Sequence, residues 1–195
     1  MLILSVDPGL AGHWILADMD SKILGSWKMP LDKNRKFCPI ETWKLICEID
    51  NISANDFEDI TVCLEGLLSL PSDTNKITLL IKMVEKDPTP ELFENLYKEL
   101  KKTDGRISTK TMSINWGILR GQFVAKGWKC FTPSPRQWQA DVYRGIPGAN
   151  AKIRGYNFCR SKWPDEDLTE GKRQGFNNGK TDAMCLNEYL RRQLR

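Results

Sequence analysis

The sequence is poor in the residue types on which several common catalytic sites depend. It contains one histidine, His13, and its six cysteines are scattered without a Cys-x-x-Cys pair. A serine or cysteine nucleophile activated by histidine could use only His13, and a zinc site of histidines or of cysteines alone lacks its ligands or its spacing. Any catalysis is therefore expected to rest on carboxylates, on lysines, or on a metal ion held by carboxylates.

Long apolar runs are also missing. No run approaches the roughly 20 residues that a membrane-spanning helix needs, and no basic stretch precedes the N-terminal LILSV, so neither a membrane segment nor a signal peptide is expected. Several cysteines lie inside apolar runs, which favours buried free thiols in a reducing compartment over disulfides. We expect a cytoplasmic protein, or one in the host cytoplasm if the source is viral, with an organelle matrix left open.

The chain does have enough apolar residues for one folded domain. Hydrophobic residues make up 41% of its 195 residues, which fits a single domain over residues 1–195 better than two full domains. The net charge is +4, from 29 Lys and Arg against 25 Asp and Glu, and the basic residues concentrate between positions 101 and 136. Charge alone leaves a polyanionic partner and ordinary solvated faces equally open.

Apolar periodicity predicts an α/β fold. Alternating or continuous apolar runs predict five strands, at 2–7, 12–19, 22–29, 58–66 and 128–133. Helical spacing and capping residues predict helices at 40–49, at 113–127, from position 135 onward, at 151–163 and at 179–192. Residues 69–108 carry a helical periodicity of their own and predict an inserted helical hairpin. This order is that of a ribonuclease H-like domain, in which helices flank a mixed five-stranded sheet.

Three acidic residues stand where the local pattern calls for apolar ones. Asp7 ends the first strand, Glu65 ends the fourth, and Asp182 lies on the apolar face of the last helix. Each also has an ordinary interpretation, as a turn residue, a strand-end residue or a helix surface residue; Asp-Pro-Gly at 7–9 is good turn chemistry. Together the three predict a site for Mg²⁺ or Mn²⁺, because hard divalent cations prefer oxygen ligands and a buried acid needs a partner or a cation.

Four stretches of the chain carry a resemblance: LSVDPGLAG, CLEG, SINWGILRGQFVAKGWKCFTPSPRQWQ and GKTDAMCLNEYLRR. In order and spacing they are similar to the RuvC-like Holliday junction resolvases, in particular the phage and organellar branch of that family. The similarity covers most of the chain but not residues 69–108. It implies a homodimer that cuts four-way and other branched DNA junctions, with two divalent ions held by acids at the positions of Asp7, Glu65 and Asp182.

The fourth acidic position of the family is occupied by an amide in this chain. The family carries Asp or His three to five residues before the last Asp, and Asn178 lies four residues before Asp182. Asn178 is thus the candidate fourth ligand, with no negative charge to offer. Two alternatives stay open at this point: Asn178 caps the last helix, or it replaces a natural Asp through engineering. As a ligand it predicts weak Mg²⁺ binding and slow or absent cleavage.

The expected reaction is hydrolysis of a phosphodiester bond. One ion on Asp7 and Asp182 would activate a water molecule, and a second on Asp7 and Glu65 would stabilise the leaving 3′-oxygen. Lys180 could neutralise charge on the attacked phosphate, or it could be a solvated lysine of the first helical turn. Four further basic residues are candidate contacts to the DNA backbone: Lys110, Arg120, Arg136 and Lys152.

Three other functions are weighed against this one. An Asp-Pro-Gly turn after a first strand also occurs at the phosphate site of actin-like sugar kinases and chaperone ATPases, but those folds need two such domains and a much longer chain. A ribonuclease H acting on RNA–DNA hybrids would share the metal chemistry. A structure-selective DNA-binding protein that does not cut, or an inactivated variant, would be compatible with a neutral residue at 178.

Overall fold

A five-stranded mixed sheet forms the centre of the protein. The computed structural model describes residues 1–56, 59–66, 107–170 and 175–195. The sheet has the order β3-β2-β1-β4-β5, in which β1, β2 and β3 pair antiparallel and β1, β4 and β5 pair parallel. Its strands are β1 Leu2–Val6, β2 His13–Asp18, β3 Ile23–Lys28, β4 Ile60–Leu64 and β5 Lys129–Phe131.

Helices cover both faces of this sheet. The described helices are α1 Pro39–Asp56, α2 Ile107–Ala125, α3 Pro135–Val142, α4 Ala151–Lys162 and α5 Asn178–Leu194. On one face, apolar residues of α1 and α2 pack against Leu2, Leu4 and Val6. On the other face, residues of α3, α4 and α5 pack against Ile3 and Ile15. The alternation along β1 follows from the strand geometry, because successive side chains point to opposite faces.

The last helix is fixed to the central strand by buried polar contacts. Asn187 donates a hydrogen bond from its Nδ2 to the carbonyl of Ile3, and Arg191 binds Oδ1 of Asn187 and the hydroxyl of Ser21. The side chains of Asn187 and Arg191 are fully buried. A buried amide or guanidinium is costly unless its hydrogen bonds are made, so these contacts fix the rotation and register of α5 on the sheet.

The predicted α/β architecture with a mixed five-stranded sheet is confirmed. The five predicted strands are all present, although each is shorter than its apolar run. Helix α1 continues beyond position 49 to Asp56, and α2 begins at Ile107 instead of 113. A second, two-stranded sheet, β6 Thr169–Glu170 with β7 Gly175–Phe176, was not predicted, because strands of two residues show no alternation. Most of the hairpin predicted at 69–108 lies outside the described residues.

All six cysteines are free thiols, as predicted, and three of them are buried: Cys63, Cys159 and Cys185. No helix in the described ranges is both long enough and apolar enough to span a bilayer.

Candidate functional site

Asp7 and Glu65 come together because they follow neighbouring parallel strands. Val6 at the end of β1 pairs with Leu64 at the end of β4. The ladder continues one step further, since the amide of Glu65 donates to the carbonyl of Val6 over 3.0 Å. The two acids therefore leave the sheet side by side at the edge where the parallel strands end.

A tight turn holds the carboxylate of Asp7. Its Oδ1 accepts a hydrogen bond from the amide of Gly9 over 2.9 Å, so the interpretation of Asp7 as a turn residue is confirmed. The chain returns so closely that a Cβ at Gly12 would lie 2.1 Å from the carbonyl oxygen of Asp7. Only glycine fits at Gly12. The turn role leaves Oδ2 without a backbone partner among the described residues, so the carboxylate retains ligand capacity.

Two tryptophans hold Glu65. The indole Nε1 of Trp138 donates to Oε1 of Glu65 over 3.0 Å, and that of Trp116 donates to the Glu65 carbonyl over 2.9 Å. Trp138 is fully buried in α3, whose start is fixed by a capping box between Ser134 and Gln137. The orientation of the Glu65 carboxylate is thus set by a rigid donor and not by solvent.

Asp182 reaches the same edge from helix α5. The first turn of the helix packs on the loop after β1, so closely that a Cβ at Gly179 would lie 2.2 Å from the Ala11 carbonyl oxygen. Asn177 caps the helix by accepting a hydrogen bond from the amide of Lys180 over 3.0 Å. The close contact at Gly179 brings the second turn, with Asp182, beside the turn that holds Asp7.

The three carboxylates influence one another electrostatically. Burial and, after it, the charge of Asp7 raise the pKa of Glu65 to about 7. Burial and the charge of Asp7 also raise the pKa of Asp182 to about 7, partly offset by Lys152 and by the nearby Tyr143 hydroxyl. Burial raises the pKa of Asp7 itself, against the hydrogen bond from Gly9. A cation between such groups would relieve both the desolvation and the repulsion.

The three carboxylates are chemically suited to bind a hard divalent cation, but they are not arranged as a complete coordination site. No group of three or more His, Cys, Asp or Glu side chains in the described residues is arranged to hold a metal ion as it stands. The carboxylates of Asp7, Glu65 and Asp182 converge without closing into a cage. Oxygen ligands of this kind suit Mg²⁺ or Mn²⁺.

The alternative interpretation of Asn178 as the helix cap is wrong. Asn177 occupies the cap position, and Asn178 is the first residue of the helix, with a half-buried side chain. The misplacement is one residue, because two adjacent asparagines have the same capping ability and sequence alone does not choose between them. Asn178 stays one helical turn before Asp182, the position that the fourth ligand would require.

The interpretation of Lys180 as a solvated lysine is also wrong. Its side chain is buried, and Nζ lies 2.8 Å from Oε2 of Glu166 and 2.9 Å from the carbonyl of Asp167. These partners come from the loop after α4, which the local sequence around Lys180 does not reveal. The ammonium ties that loop to the start of α5, and phosphate would have to compete with Glu166 for it.

The four candidate DNA contacts occupy different surroundings. Lys152 is exposed in the first turn of α4, close enough to Asp182 to lower its pKa. Arg136 is exposed at the start of α3. Arg120 is half-buried, with its guanidinium 5.6 Å from the centre of the Trp116 ring. Lys110 belongs to α2, but its side chain lies outside the described residues. Of the three whose side chains are described, Lys152 is the one whose charge lowers the pKa of one of the three acids.

Sequence reasoning missed the residues that position the carboxylates. Trp138 and Trp116 lie in the stretches that carry the family resemblance, but their indole donors have no signature in a linear pattern. Tyr143 approaches Asp182 and Cys185 from the end of α3, without an ordinary hydrogen bond to either. The available signal for the donor role of Trp138 is a tryptophan in the first turn after a helix cap. The same pattern equally indicates core packing.

No protein-family model matches this sequence, and no curated protein matches it either.

Proposed function

We propose that the protein is a divalent-metal-dependent endonuclease of the ribonuclease H-like kind, which cleaves four-way and other branched DNA junctions. The observation that carries the proposal is the convergence of three carboxylates, from β1, β4 and α5, at one edge of the sheet. The order of the strands and the family resemblance of the surrounding stretches support the same function.

The arrangement is difficult to explain as a structural device. In the described part of the chain, none of the three half-buried acids forms an ion pair, whereas the buried acid Glu188 forms three. Three half-buried carboxylates without cations oppose folding. A protein that keeps them at one edge, each fixed by a different element, is using the negative charge to bind something positive.

The side chains would divide the work according to how they are held. Asp7 lies between the other two acids in the electrostatic sense, since its charge raises the pKa of both, and it would be shared by the two ions. Trp138 orients Glu65. The packing of Gly179 on the loop after β1 fixes the position of Asp182 relative to that loop. Bound Mg²⁺ or Mn²⁺ would supply Lewis-acid polarisation of the phosphate and of the attacking water.

The substrate must approach this edge with a phosphate against three acids. Lys152 is exposed beside Asp182 and would bind the DNA backbone there. Paired cuts in a four-way junction need two such sites, so the proposed function implies a homodimer. Sedimentation of the protein with and without a junction would measure that stoichiometry.

The test is a cleavage assay on a four-way junction, with linear duplex of the same sequence and an RNA–DNA hybrid as competing substrates, in Mg²⁺ and in Mn²⁺. We expect cleavage near the branch point and none of the linear duplex. Asp7→Asn should lower the single-turnover rate by at least about 1,000-fold, or about 4 kcal/mol of transition-state stabilisation, while junction affinity changes by no more than a few fold.

Two further variants test whether loss of cleavage is specific to the three acids. Asp165→Asn removes an exposed carboxylate that is not one of the three acids and should leave cleavage unchanged. A junction that is bound but left intact in both metals, including by Asn178→Asp, would reject the endonuclease and leave a DNA-binding protein. Preferential cleavage of the hybrid would instead identify a ribonuclease H.

A further inference from the structure

A stacked pair of aromatic rings stands at the start of helix α5. Phe176 and Tyr156 have ring centroids 4.1 Å apart and planes inclined by 27°. Phe176 is 47% exposed, an unusual position for a phenylalanine that has a neighbouring ring to pack on. Tyr156 contributes to the core on one side and meets Phe176 on the other. One face of an aromatic ring is thus presented to solvent on a rigid support.

Cations flank this pair along α4. Lys152, Tyr156 and Arg160 are spaced four residues apart, so they form one stripe along the helix. Lys152 and Arg160 are exposed, and within the described ranges neither forms an ion pair. Their charge is therefore available to an anionic partner. An aromatic face between two unpaired cations has the composition of a nucleotide site, in which a base stacks while phosphates meet the cations.

The position of the pair connects it with the carboxylates. Phe176 directly precedes the cap residue Asn177, and Asp182 lies about 8 Å further along the helix axis at 1.5 Å per residue. Lys152, at one end of the stripe, is near enough to Asp182 to lower its pKa. A nucleic-acid strand with a phosphate at the carboxylates would pass the aromatic pair within a few nucleotides.

We infer that Phe176, supported by Tyr156, stacks against an unpaired DNA base beside the carboxylate site, and so makes the protein select DNA with an unstacked nucleotide over continuous duplex. The inference deepens the proposed function and rests on it for the choice of DNA as the polymer. An intact duplex hides the faces of its bases, so Phe176 can contribute only where a base is unpaired or splayed, as at a branch point.

Binding can be measured without cleavage, by fluorescence anisotropy in EDTA. The probes are a labelled single-stranded 16-mer of thymidine, a blunt duplex of equal length and a four-way junction. Phe176→Ala should weaken binding of the single strand and of the junction by about tenfold, within the range found for base–aromatic stacking, and binding of the duplex by less than twofold. Phe176→Trp should retain or strengthen binding, since it keeps the aromatic face.

A control variant and a spectroscopic readout separate stacking from general binding. Leu24→Ala removes an exposed apolar side chain on β3, near the opposite end of the sheet, and should change no affinity. A 2-aminopurine placed in the single strand should lose fluorescence on binding to the wild type and to Phe176→Trp, but not to Phe176→Ala.

Unchanged affinity of Phe176→Ala for the single strand would overturn the inference, as would an equal loss for single strand and duplex. Absence of DNA binding by the wild type would overturn it as well. Cleavage by the wild type together with an inert Phe176 would reject the stacking alone. Selective binding through Phe176 with no cleavage in any metal would support the stacking and reject the endonuclease.

Discussion

Helix α5 carries two carboxylates in opposite electrostatic surroundings: Glu188, which is buried, and Asp182, which is half-buried. Glu188 is surrounded by Lys162, Arg191 and Arg192, and the hydrogen bonds and charges of these three outweigh burial and lower its pKa. Asp182, less than two turns earlier, has no ion pair in the described residues, and burial with the charge of Asp7 raises its pKa to about 7. The surroundings of Glu188 therefore favour its ionised form, whereas those of Asp182, on the same helix, disfavour it.

Glu188 stabilises the fold, whereas Asp182 opposes it, as a carboxylate of the proposed metal site would. A fold can neutralise a buried acid by placing basic side chains beside it, as α5 does at Glu188. Asp182 has no such basic partner in an ion pair among the described residues, although the chain contains 29 lysines and arginines. Carboxylates with perturbed pKa values that gather at one edge of a sheet are typical of sites that bind or transform a ligand.

The largest effect on stability is expected when the paired acid is removed. Glu188→Gln leaves the guanidinium of Arg191, 1% exposed, without its counter-charge, and breaking a buried pair of this kind typically costs about 3 kcal/mol or more. The melting temperature should fall by roughly 6–12 °C. Glu41→Gln, which breaks the exposed pair with Lys44, is the control and should change it by less than about 2 °C. Equal changes in melting temperature for Glu188→Gln and Glu41→Gln would show that the buried pair contributes no more to stability than the exposed one.

Removal of the unpaired acid should stabilise the metal-free protein, in a manner that depends on pH. The pKa values of Glu65 and Asp182 are about 7 in the folded protein, against ordinary values of 4.5 and 3.8. The folded state therefore binds protons more tightly than the unfolded chain, and stability declines as the pH rises from about 4 to 7.

Asp182→Asn should thus raise the melting temperature in EDTA at pH 8 by about 2–8 °C, which corresponds to about 1–2 kcal/mol, and by less at pH 5. Mn²⁺ at pH 8 should stabilise the wild type and not the variant. Thermal unfolding at both pH values, with Asp165→Asn as the control, measures this. A variant that is less stable than the wild type at pH 8 would contradict the assigned electrostatics.

The third expected effect concerns the amide one turn before Asp182. If residue 178 is a ligand position, Asn178→Asp adds a negative charge beside Asp182 and should raise the single-turnover junction cleavage rate in saturating Mg²⁺ by more than tenfold, or about 1.4 kcal/mol. Asn177→Asp is the matched control, because it keeps a capping oxygen in the true cap position and should leave the rate unchanged. Equal rates for Asn178→Asp and the wild type would reject the ligand role.

The smallest effect is expected from the residue that orients Glu65. Trp138→Phe removes the donor to Oε1 and should lower cleavage by about fivefold, close to 1 kcal/mol for one hydrogen bond. Since this bond lowers the pKa of Glu65, its loss should also move the acidic limb of the pH–rate profile to higher pH. Trp163→Phe, which loses an equivalent bond to the Ser21 carbonyl, should leave that limb in place.

The sequence was informative where one strand or helix determines the outcome. Asp7 was recognisable because an acid at the end of an apolar run violates a local pattern, and the parallel pairing of β1 with β4 then placed Glu65 beside it. The sheet followed from the same apolar runs. These features depend on periodicity, which a linear sequence displays directly.

The rest depends on partners that are distant along the chain. Lys180 looked solvated because Glu166 becomes its neighbour only when the loop after α4 folds back. The alternative that Asn178 caps the helix fails because packing, here the contact of Gly179 with Ala11, sets the boundary of the helix between two asparagines. The indole that orients Glu65 is 73 residues away from it in sequence, and no local rule links the two.

The distribution of the three acids along the chain also has a consequence for biosynthesis. Asp7 is translated well before Asp182, which belongs to the helix that docks on β1 through Asn187 and Ile3. At about 5–20 residues per second, the two are made on the order of ten seconds or more apart. A nascent chain thus exposes no complete acidic triad during this interval. Because helix α5 follows all five strands of the central sheet along the chain, the proposed metal site can assemble only after that sheet has been translated.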